Sequence, residues 1–323
     1  MRCRSGTVME HGSTPRRGLT VVELLVSIGV MSLLLSLVLP AVQSGREAAR
    51  RTQCRASLHD IGIAVGVYEA TWSVLPNDGP HPYTTGLAKM RAYLNYDYLV
   101  HPQPGAGSAF SVSSHENLFC PSDGVRPLLT EEASFIQCFG EAVGGTRGDG
   151  IAGVRAVVRD RDVSDGRSQT VCFSERLLED VGTSYGQPGQ IPPRPIRHVF
   201  LTRRRFDRPK TVPAEYRSHC ESLPGAAYSA TLSFRESLTN ERYGGFTTTL
   251  RPNTPACLNT SSPRDPFAIE AWEVDLTASS GHPGAVNCLF LDGSARTVGD
   301  QISVGVWSAV GSFAGNETVS FEF

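Results

Sequence analysis

A histidine and an aspartate lie ten residues apart near the C-terminal end of the chain, at His282 and Asp292. Such a pair can perform acid–base catalysis or bind a metal ion when the two side chains meet. The residues between them form a strand-like apolar run, and ten residues at about 3.3 Å each would hold them up to about 33 Å apart. Pro283-Gly284 follows His282, and Gly293 follows Asp292, so we assign both to turns. A site shared with other segments is the alternative.

The chain has eight cysteines, none of them spaced as CxxC, so the sequence does not indicate a zinc ribbon or a thioredoxin-like motif. Cys172 and Cys288 stand in apolar, strand-like runs, and we expect them to be buried free thiols. Cys220 and Cys257 lie in Pro- and Ser-rich loops and are the better disulfide candidates, although the sequence does not give the connectivity. The sequence contains no GxSxG, HExxH, P-loop or Rossmann fingerprint. We therefore expect no catalytic, cofactor or metal site.

A long apolar segment lies near the N-terminus. From Leu24 to Gly45 no residue carries a charge, and most residues are Leu, Val or Ile. About 20 such residues cross a bilayer as a helix, whereas a soluble helix is rarely apolar on all sides for this length. A cleaved secretory signal has a shorter apolar core of about 7–15 residues and a small-residue cleavage site. The sequence predicts one membrane-spanning helix, and because arginines flank it on both sides, charge alone does not orient it.

The residues that precede this helix carry a processing motif. Arg16-Arg17-Gly18 followed by LTVVELL resembles the class III signal of type IV prepilins and of the pseudopilins of type II secretion. The resemblance implies that prepilin peptidase cuts after Gly18 and that the new N-terminal residue, Leu19, is methylated, although the family usually has Phe there. The family's acid stands fifth after the cut, which is Glu23 here. Pro40 matches the family's helix-breaking proline, and we expect the helix to continue beyond it.

The acid at Glu23 stands at the edge of the apolar segment, where an unpaired carboxylate is costly. Cleavage would create an α-amino group on Leu19. Glu23 of one subunit could pair with that amine of a neighbour and fix the register of assembly, as one buried polar group does in a coiled coil. The alternative is that Glu23 is merely favoured by the positive end of the helix.

Beyond Pro40, apolar residues recur at spacings of three and four, which predicts that the helix continues as a stalk packed on a globular head. The stripe consists of Cys54, Leu58, Ile61, Val65, Tyr68 and Trp72. Glu47 and Arg51 have the spacing of an i, i+4 ion pair on the outer surface. Turn residues at 75–80, LPNDGP, predict the end of the helix.

The remainder of the chain is rich in turns. Asp-Gly occurs five times, which predicts type I′ hairpins and an antiparallel sheet. The clearest hairpin has Asp292-Gly293 at its tip and Val286, Cys288 and Phe290 on one buried face. Residues 181–265 read as a loop-rich insertion, which is either a solvated loop or a surface for an anionic partner. The net charge of −2 gives no indication of nucleic-acid binding.

A second resemblance covers most of the chain outside 181–265. His282, followed after nine residues by Asp292-Gly293, resembles the H-x9-DG signature of a bacterial family of prepilin-type, processing-associated proteins whose function is not established. The matching segments, in order, are REAARRTQCRASLHDIGIAVGVYEATWSVLP, LFCPSDG, VSDGRSQTVCFSE and VWSAVGSFAGNE. The resemblance implies an α+β, pilin-like protein with a leader at 1–18, a transmembrane and stalk helix at 19–75 and a β-rich head at 76–323.

These resemblances imply a non-enzymatic, pseudopilin-like structural subunit of a type II secretion or type IV pilus-like assembly, without a cofactor. It would cross the cytoplasmic membrane once and hold its head outside the cytoplasm. The expected partners are prepilin peptidase, other pilin-like subunits and the membrane, and no nucleic acid. The alternative is a membrane-tethered recognition module that binds a polysaccharide, a protein or an ion through its head.

Overall fold

The computed structural model describes residues 20–77, 86–94, 101–102, 110–111, 118–124, 133–141, 148–153, 157–178, 196, 199–201, 213–222, 245–258 and 274–316. Gly18 and Leu19, the expected processing site, lie outside these residues. The chain divides into two compact units, Met1–Arg46 and Glu47–Phe323.

Helices and strands alternate irregularly along the chain. In chain order they are α1 (Val21–Trp72), α2 (Gly86–Met90), β1 (His101–Pro102), β2 (Phe110–Ser111), β3 (Phe135–Cys138), β4 (Val171–Glu175), β5 (Val199–Leu201), α3 (Pro213–Ser222), β6 (Gly245–Phe246), β7 (Ala256–Leu258), β8 (Val274–Asp275), β9 (Ala285–Phe290), β10 (Ala295–Gly299) and α4 (Val304–Gly311).

The first unit contains the start of α1. Every described residue from Thr20 to Arg46 is exposed, and the helix is long and apolar enough to cross a membrane. It continues through Pro40, as expected, although proline removes one backbone donor from the helix interior. The first turn is closed by Thr20 and Glu23, each of which binds the other's backbone N–H through its side chain.

The second unit is built on a five-stranded sheet with the order β10-β9-β4-β3-β6. Its neighbouring strands are antiparallel except β3 and β6, which are parallel. A three-stranded sheet, β5-β7-β8, also contains one parallel pair, β5 with β7. The helices and sheets together confirm the α+β class. Both sheets are mixed and not purely antiparallel, because the long connections between their strands allow parallel pairing. Strands β5, β6 and β7 and helix α3 all lie within 181–265, so the described part of that range contributes strands to both sheets.

Strand β9 is buried along its whole length and contributes side chains to two hydrophobic cores. Its predicted apolar face, with Cys288 and Phe290, shares a core with Trp307 of α4. Leu289 on the opposite face joins the core formed by the buried side of α1. A Cβ on Gly62 of α1 would come within 2.9 Å of Leu289 Cδ1, so a glycine here lets the helix approach the sheet closely. The face of β9 that carries Leu289 is therefore buried because α1 packs against it.

Most of the predicted stripe on α1 is confirmed. Cys54, Leu58, Ile61 and Val65 are at most 3% exposed. The prediction is wrong for Trp72, which is 60% exposed at the last residue of the helix.

Asp292 and Gly293 lie at the tip of the β9–β10 hairpin, as predicted, but the turn type differs. Gly293 has a φ of +83°, and Asp292 does not have a positive φ, so this is not a type I′ turn. The N–H of Gly293 donates to Phe290 O, and the N–H of Phe290 donates to Ser294 O, both at 3.0 Å. This is the pattern of a three-residue loop in which a left-handed glycine follows a type I turn.

Candidate functional site

The side of α1 that faces the head carries Glu47 and Cys54, two turns apart. Glu47 Oε2 accepts hydrogen bonds from Arg50 Nε at 3.0 Å and Nη2 at 2.5 Å. Arg51 instead donates to the carbonyl of Pro283 at 3.3 Å. The predicted outward pair of Glu47 and Arg51 is therefore wrong, because the helix turns Glu47 toward the head.

Cys120 lies in a tight turn that brings its sulfur to α1. Its carbonyl accepts the N–H of Asp123 at 3.0 Å, and Gly124 continues the turn with a φ of +72°. A disulfide joins Cys120 to Cys54, with a Cα–Cα distance of 5.2 Å. The bond fastens the turn to the helix across a separation of 66 residues.

Glu175 ends strand β4 and is 1% exposed. Its Oε2 accepts the backbone N–H of Asn287 at 3.0 Å, and its Oε1 accepts the side-chain amide of Asn287 at 2.8 Å. Asn287 itself accepts a hydrogen bond from Thr297 Oγ1 at 2.8 Å. Strands β9 and β10 therefore hold this buried carboxylate in one orientation.

His282 precedes β9 in a loop that packs against the Cys120 turn. A Cβ on Gly281 would lie 1.9 Å from the carbonyl oxygen of Ser122, so only glycine allows this approach. The His282 N–H donates to Ser280 Oγ at 3.2 Å. The residue is 3% exposed, and its ring is directed into the head.

These segments bring five side chains together, which we call the His282 cluster: Glu47, Cys54, Cys120, Glu175 and His282. The imidazole Nδ1 hydrogen-bonds to Glu47 Oε1. Its Nε2 lies 3.4 Å from Glu175 Oε1 and 3.5 Å from Cys120 Sγ. Cys120 Sγ lies 3.7 Å from Glu175 Oε1.

The cluster places an imidazole between two carboxylates. Burial alone would lower the pKa of His282, but hydrogen bonds to Glu175 and Glu47 outweigh that effect and raise its pKa above the ordinary value. Burial alone would raise the pKa of Glu47, but hydrogen bonds from His282 and Arg50 outweigh it and lower its pKa. With the disulfide closed, the surroundings therefore favour a charged imidazolium.

Asp292 does not join this cluster. It lies beyond the opposite end of β9 from His282, as the strand between them predicts. Its Oδ1 accepts the N–H of Ser294 at 2.9 Å, and its Oδ2 accepts from Arg296 Nη2 at 2.8 Å. Asp292 thus stabilises the hairpin tip, as predicted. His282 instead belongs to a site shared with other segments, which the sequence left as the alternative to a turn.

Sequence reasoning missed the other four members of the cluster as site residues. Two signals could have indicated three of them. Glu47 and Cys54 are seven residues apart on a helix and so share a face. Glu175 is an acid at the end of an apolar strand, a position that charged residues seldom occupy without a partner.

Four of the five remaining described cysteines follow the sequence prediction, and none was made for the fifth, Cys138. Cys220 of α3 and Cys257 of β7 form a disulfide. Cys172 and Cys288 are buried free thiols, as is Cys138. Burial raises the pKa of Cys288 to about 12, so its reactive thiolate form is scarce at neutral pH.

Comparison with known proteins places the chain in a family. The model of a family described as "Protein of unknown function (DUF1559)" matches residues 43–96 and 136–305. These ranges include Glu47, Cys54, Glu175 and His282, whereas Cys120 lies between them and the Gly18 motif precedes them. No curated protein and no solved structure matches the chain significantly. Because the matched ranges cover more than half of the sequence, the chain belongs to this family of unknown function, DUF1559.

Proposed function

We propose that the chain is a pseudopilin-like structural subunit of a type II secretion or type IV pilus-like assembly, processed by prepilin peptidase and anchored in the cytoplasmic membrane. The observation that carries the proposal is the construction of α1. One helix contains an exposed apolar segment of membrane-spanning length and, further along, a stripe buried in the core of the head. An apolar surface of this length requires a bilayer or other apolar helices around it.

The contacts of Glu23 support an assembly role. Its Oε2 accepts hydrogen bonds from the N–H and the hydroxyl of Thr20, each at 2.8 Å. Within one subunit the carboxylate is therefore satisfied by neutral donors. After cleavage behind Gly18, the charged amine of a neighbouring Leu19 would compete for the same oxygen, and a charge-assisted hydrogen bond is roughly twice as strong as a neutral one. Glu23 can thus give up its hydrogen bonds to Thr20 in its own helix and bind the N-terminal amine of a neighbouring subunit.

The disulfides support a head outside the cytoplasm. Cys54–Cys120 and Cys220–Cys257 both lie in the second unit. Disulfides persist in oxidising compartments and are rare in the cytosol. A single pass with the second unit outside the cytoplasm agrees with this distribution.

The test is the mass of the mature N-terminus, measured on the full chain extracted from membranes of cells with and without an active prepilin peptidase. We expect a chain that begins at a singly methylated Leu19 in the first cells and an uncut chain in the second. Gly18→Leu should block cleavage. Gly45→Leu is the matched control, since a side chain there meets nothing within 4 Å. An uncut chain in peptidase-active cells contradicts the proposal.

A further inference from the structure

Four side chains of the His282 cluster carry atoms that can bind a metal ion. Cys54, Cys120, Glu175 and His282 are all buried, and one ligand atom from each lies within 4.8 Å of the others. Two sulfurs, one imidazole nitrogen and one carboxylate oxygen are ligands that Zn²⁺ accepts in tetrahedral sites. Four segments remote in sequence supply them, so their convergence is a property of the fold.

The spacing of the donors matches a tetrahedron around one cation. With bonds of about 2.3 Å to sulfur and about 2.0–2.1 Å to nitrogen and oxygen, the ligand atoms of a zinc site lie roughly 3.4–3.8 Å apart. His282 Nε2 lies 3.4 Å from Glu175 Oε1 and 3.5 Å from Cys120 Sγ. The third edge, Cys120 Sγ to Glu175 Oε1, is 3.7 Å. The Cys54 sulfur lies within 4.8 Å of the other three ligand atoms, and it would have to separate from the Cys120 sulfur to which it is bonded.

The surroundings orient the donors in the way that metal sites require. A histidine ligand usually gives its second ring N–H to a carboxylate, which fixes the ring and the free nitrogen. Here Glu47 holds Nδ1 of His282, and Nε2 faces the other donors. Asn287 fixes Glu175 through two hydrogen bonds. The Glu47 side chain is 21% exposed, so solvent reaches the cluster from its side.

We infer that reduction of the Cys54–Cys120 disulfide converts this cluster into a Zn²⁺ site with Cys54, Cys120, Glu175 and His282 as ligands and Glu47 as the residue that positions the imidazole. The disulfide form and the zinc form exclude each other, because a sulfur in a disulfide has no thiolate to offer. The inference does not depend on the pseudopilin role, since it concerns only the second unit.

The conversion balances with a dithiol as the reductant. The disulfide takes up two electrons and two protons, its S–S bond breaks, and two thiols form while the dithiol becomes a cyclic disulfide. The cation then binds both sulfurs, and each thiol releases its proton to solvent. The reverse reaction uses the cyclic disulfide as the oxidant. It takes two electrons from the two thiolates and two protons from solvent and becomes the dithiol again, while the sulfurs bond to each other and the cation leaves.

The direct test is a zinc titration of the full chain in detergent, with a chromophoric chelator as competitor. One sample keeps its disulfides, and the other is reduced with a phosphine, which leaves no competing thiol. We expect one tightly bound Zn²⁺ per reduced chain and at least about 100-fold weaker binding by the oxidised chain. Equal affinity in the two forms, or no tight binding by the reduced chain, overturns the inference.

Substitutions assign the site. Cys54→Ser and Cys120→Ser should each remove tight binding. Glu47→Gln should weaken it by about 10–100-fold, the range for residues that orient a ligand, and leave the cobalt spectrum of a loaded sample tetrahedral. The double variant Cys220→Ser, Cys257→Ser is the matched control, because it removes a disulfide outside the cluster and should bind zinc as the wild type does. Tight binding that survives Cys54→Ser and Cys120→Ser overturns the assignment.

A second test uses the wild-type chain, so it does not depend on whether the variants fold. The reduced protein is alkylated with and without Zn²⁺, and the modified thiols are identified by mass spectrometry. Zinc should protect Cys54 and Cys120 and leave the labelling of Cys220 and Cys257 unchanged. Co²⁺ in place of zinc should produce sulfur-to-metal charge-transfer absorption. Protection that is the same at all four thiols, or absent at Cys54 and Cys120, overturns the inference.

Discussion

Asn287 donates two hydrogen bonds to the carboxylate of Glu175, one from its backbone N–H at 3.0 Å and one from its side-chain amide at 2.8 Å. Glu175 is 1% exposed, and a buried carboxylate is costly unless donors surround it. The two residues belong to neighbouring strands, β4 and β9, so this contact holds the sheet together directly beside His282.

Replacing this donor should destabilise the head. Asn287→Leu keeps a similar volume and leaves the backbone donor in place, so it removes the hydrogen bond to the charged Glu175 carboxylate and the neutral one from Thr297. We expect the free energy of unfolding to fall by about 2–4.5 kcal/mol, the sum for one charged and one neutral hydrogen bond. Chemical denaturation of the full chain in detergent measures it. Thr297→Val, which removes only the neutral bond to Asn287, should cost about 0.5–1.5 kcal/mol, and equal costs for the two variants would contradict this account.

The close approach at Gly281 predicts a steric effect. In Gly281→Ala the new methyl group would meet the carbonyl oxygen of Ser122 at 1.9 Å, and backbone must move to relieve the clash. We expect a loss of about 1–3 kcal/mol in the same unfolding measurement. Gly299→Ala is the control because a Cβ there meets nothing within 4 Å, and it should stay within about 0.5 kcal/mol of wild type. A Gly281→Ala variant as stable as the control would show that the loop packs differently.

The hairpin tip predicts a conformational effect without a clash. A Cβ on Gly293 meets nothing within 4 Å, but its φ of +83° is strongly disfavoured for a β-branched residue. Gly293→Val should therefore lower the melting temperature clearly, and Gly293→Asn should lower it less, because Asn tolerates left-handed conformations. Thermal melts of the full chain test this order. A reversed order would mean that the side chain, and not the backbone, determines the cost.

Asp292 distinguishes a turn from a functional site. Asp292→Asn loses a partly exposed ion pair with Arg296, which predicts a cost of about 0.2–1 kcal/mol and no change in zinc affinity. Chemical denaturation and the zinc titration measure the two quantities on one preparation. A large chelator effect on wild-type stability that Asp292→Asn abolishes would instead place a metal ion at the hairpin.

Glu23 predicts an assembly phenotype. Glu23→Gln keeps the shape of the side chain but loses the charge that would attract a neighbour's amine in the proposed assembly. We therefore expect insertion and cleavage to persist while crosslinking between subunits in the membrane decreases. Ser27→Ala is the matched control one turn further along, since Ser27 Oγ already donates to the Glu23 carbonyl of its own helix at 2.7 Å. Crosslinking unchanged by Glu23→Gln would favour the simpler interpretation, in which the acid only stabilises the helix end.

Local patterns predicted α1 and the β9–β10 hairpin. The apolar segment, the stripe that contains Leu58 and Ile61, and the hairpin at Asp292-Gly293 all depend on residues within one or two turns of each other. The turn type was wrong because the same Asp-Gly pair fits both a type I′ turn and a type I turn followed by a left-handed glycine. Only the pairing of Phe290 with Ser294 decides between them.

The His282 cluster could not be predicted in the same way. Its members come from α1, the Cys120 turn, the end of β4 and the loop before β9, and only tertiary packing brings these segments together. The spacing rule correctly separated His282 from Asp292, but it concerns one strand and says nothing of partners elsewhere. His282 and Asp292 lie at opposite ends of β9 and contact different residues, so His282 belongs to the cluster whereas Asp292 stabilises the hairpin tip.

Because one helix carries both an exposed apolar segment and a buried stripe, the order in which its core partners are synthesised affects how the head forms. His282 follows Glu47 by 235 residues, so at about 5–20 residues per second the helix waits on the order of 10–50 seconds for the loop and strand that complete its packing. Cys120 follows Cys54 by only 66 residues and leaves the ribosome much earlier. Leu87 and Met90 of α2 belong to the same core as the stripe on α1 and leave the ribosome earlier still. Helix α2 and then the Cys120 turn are therefore available to the apolar helix face long before strand β9 is made.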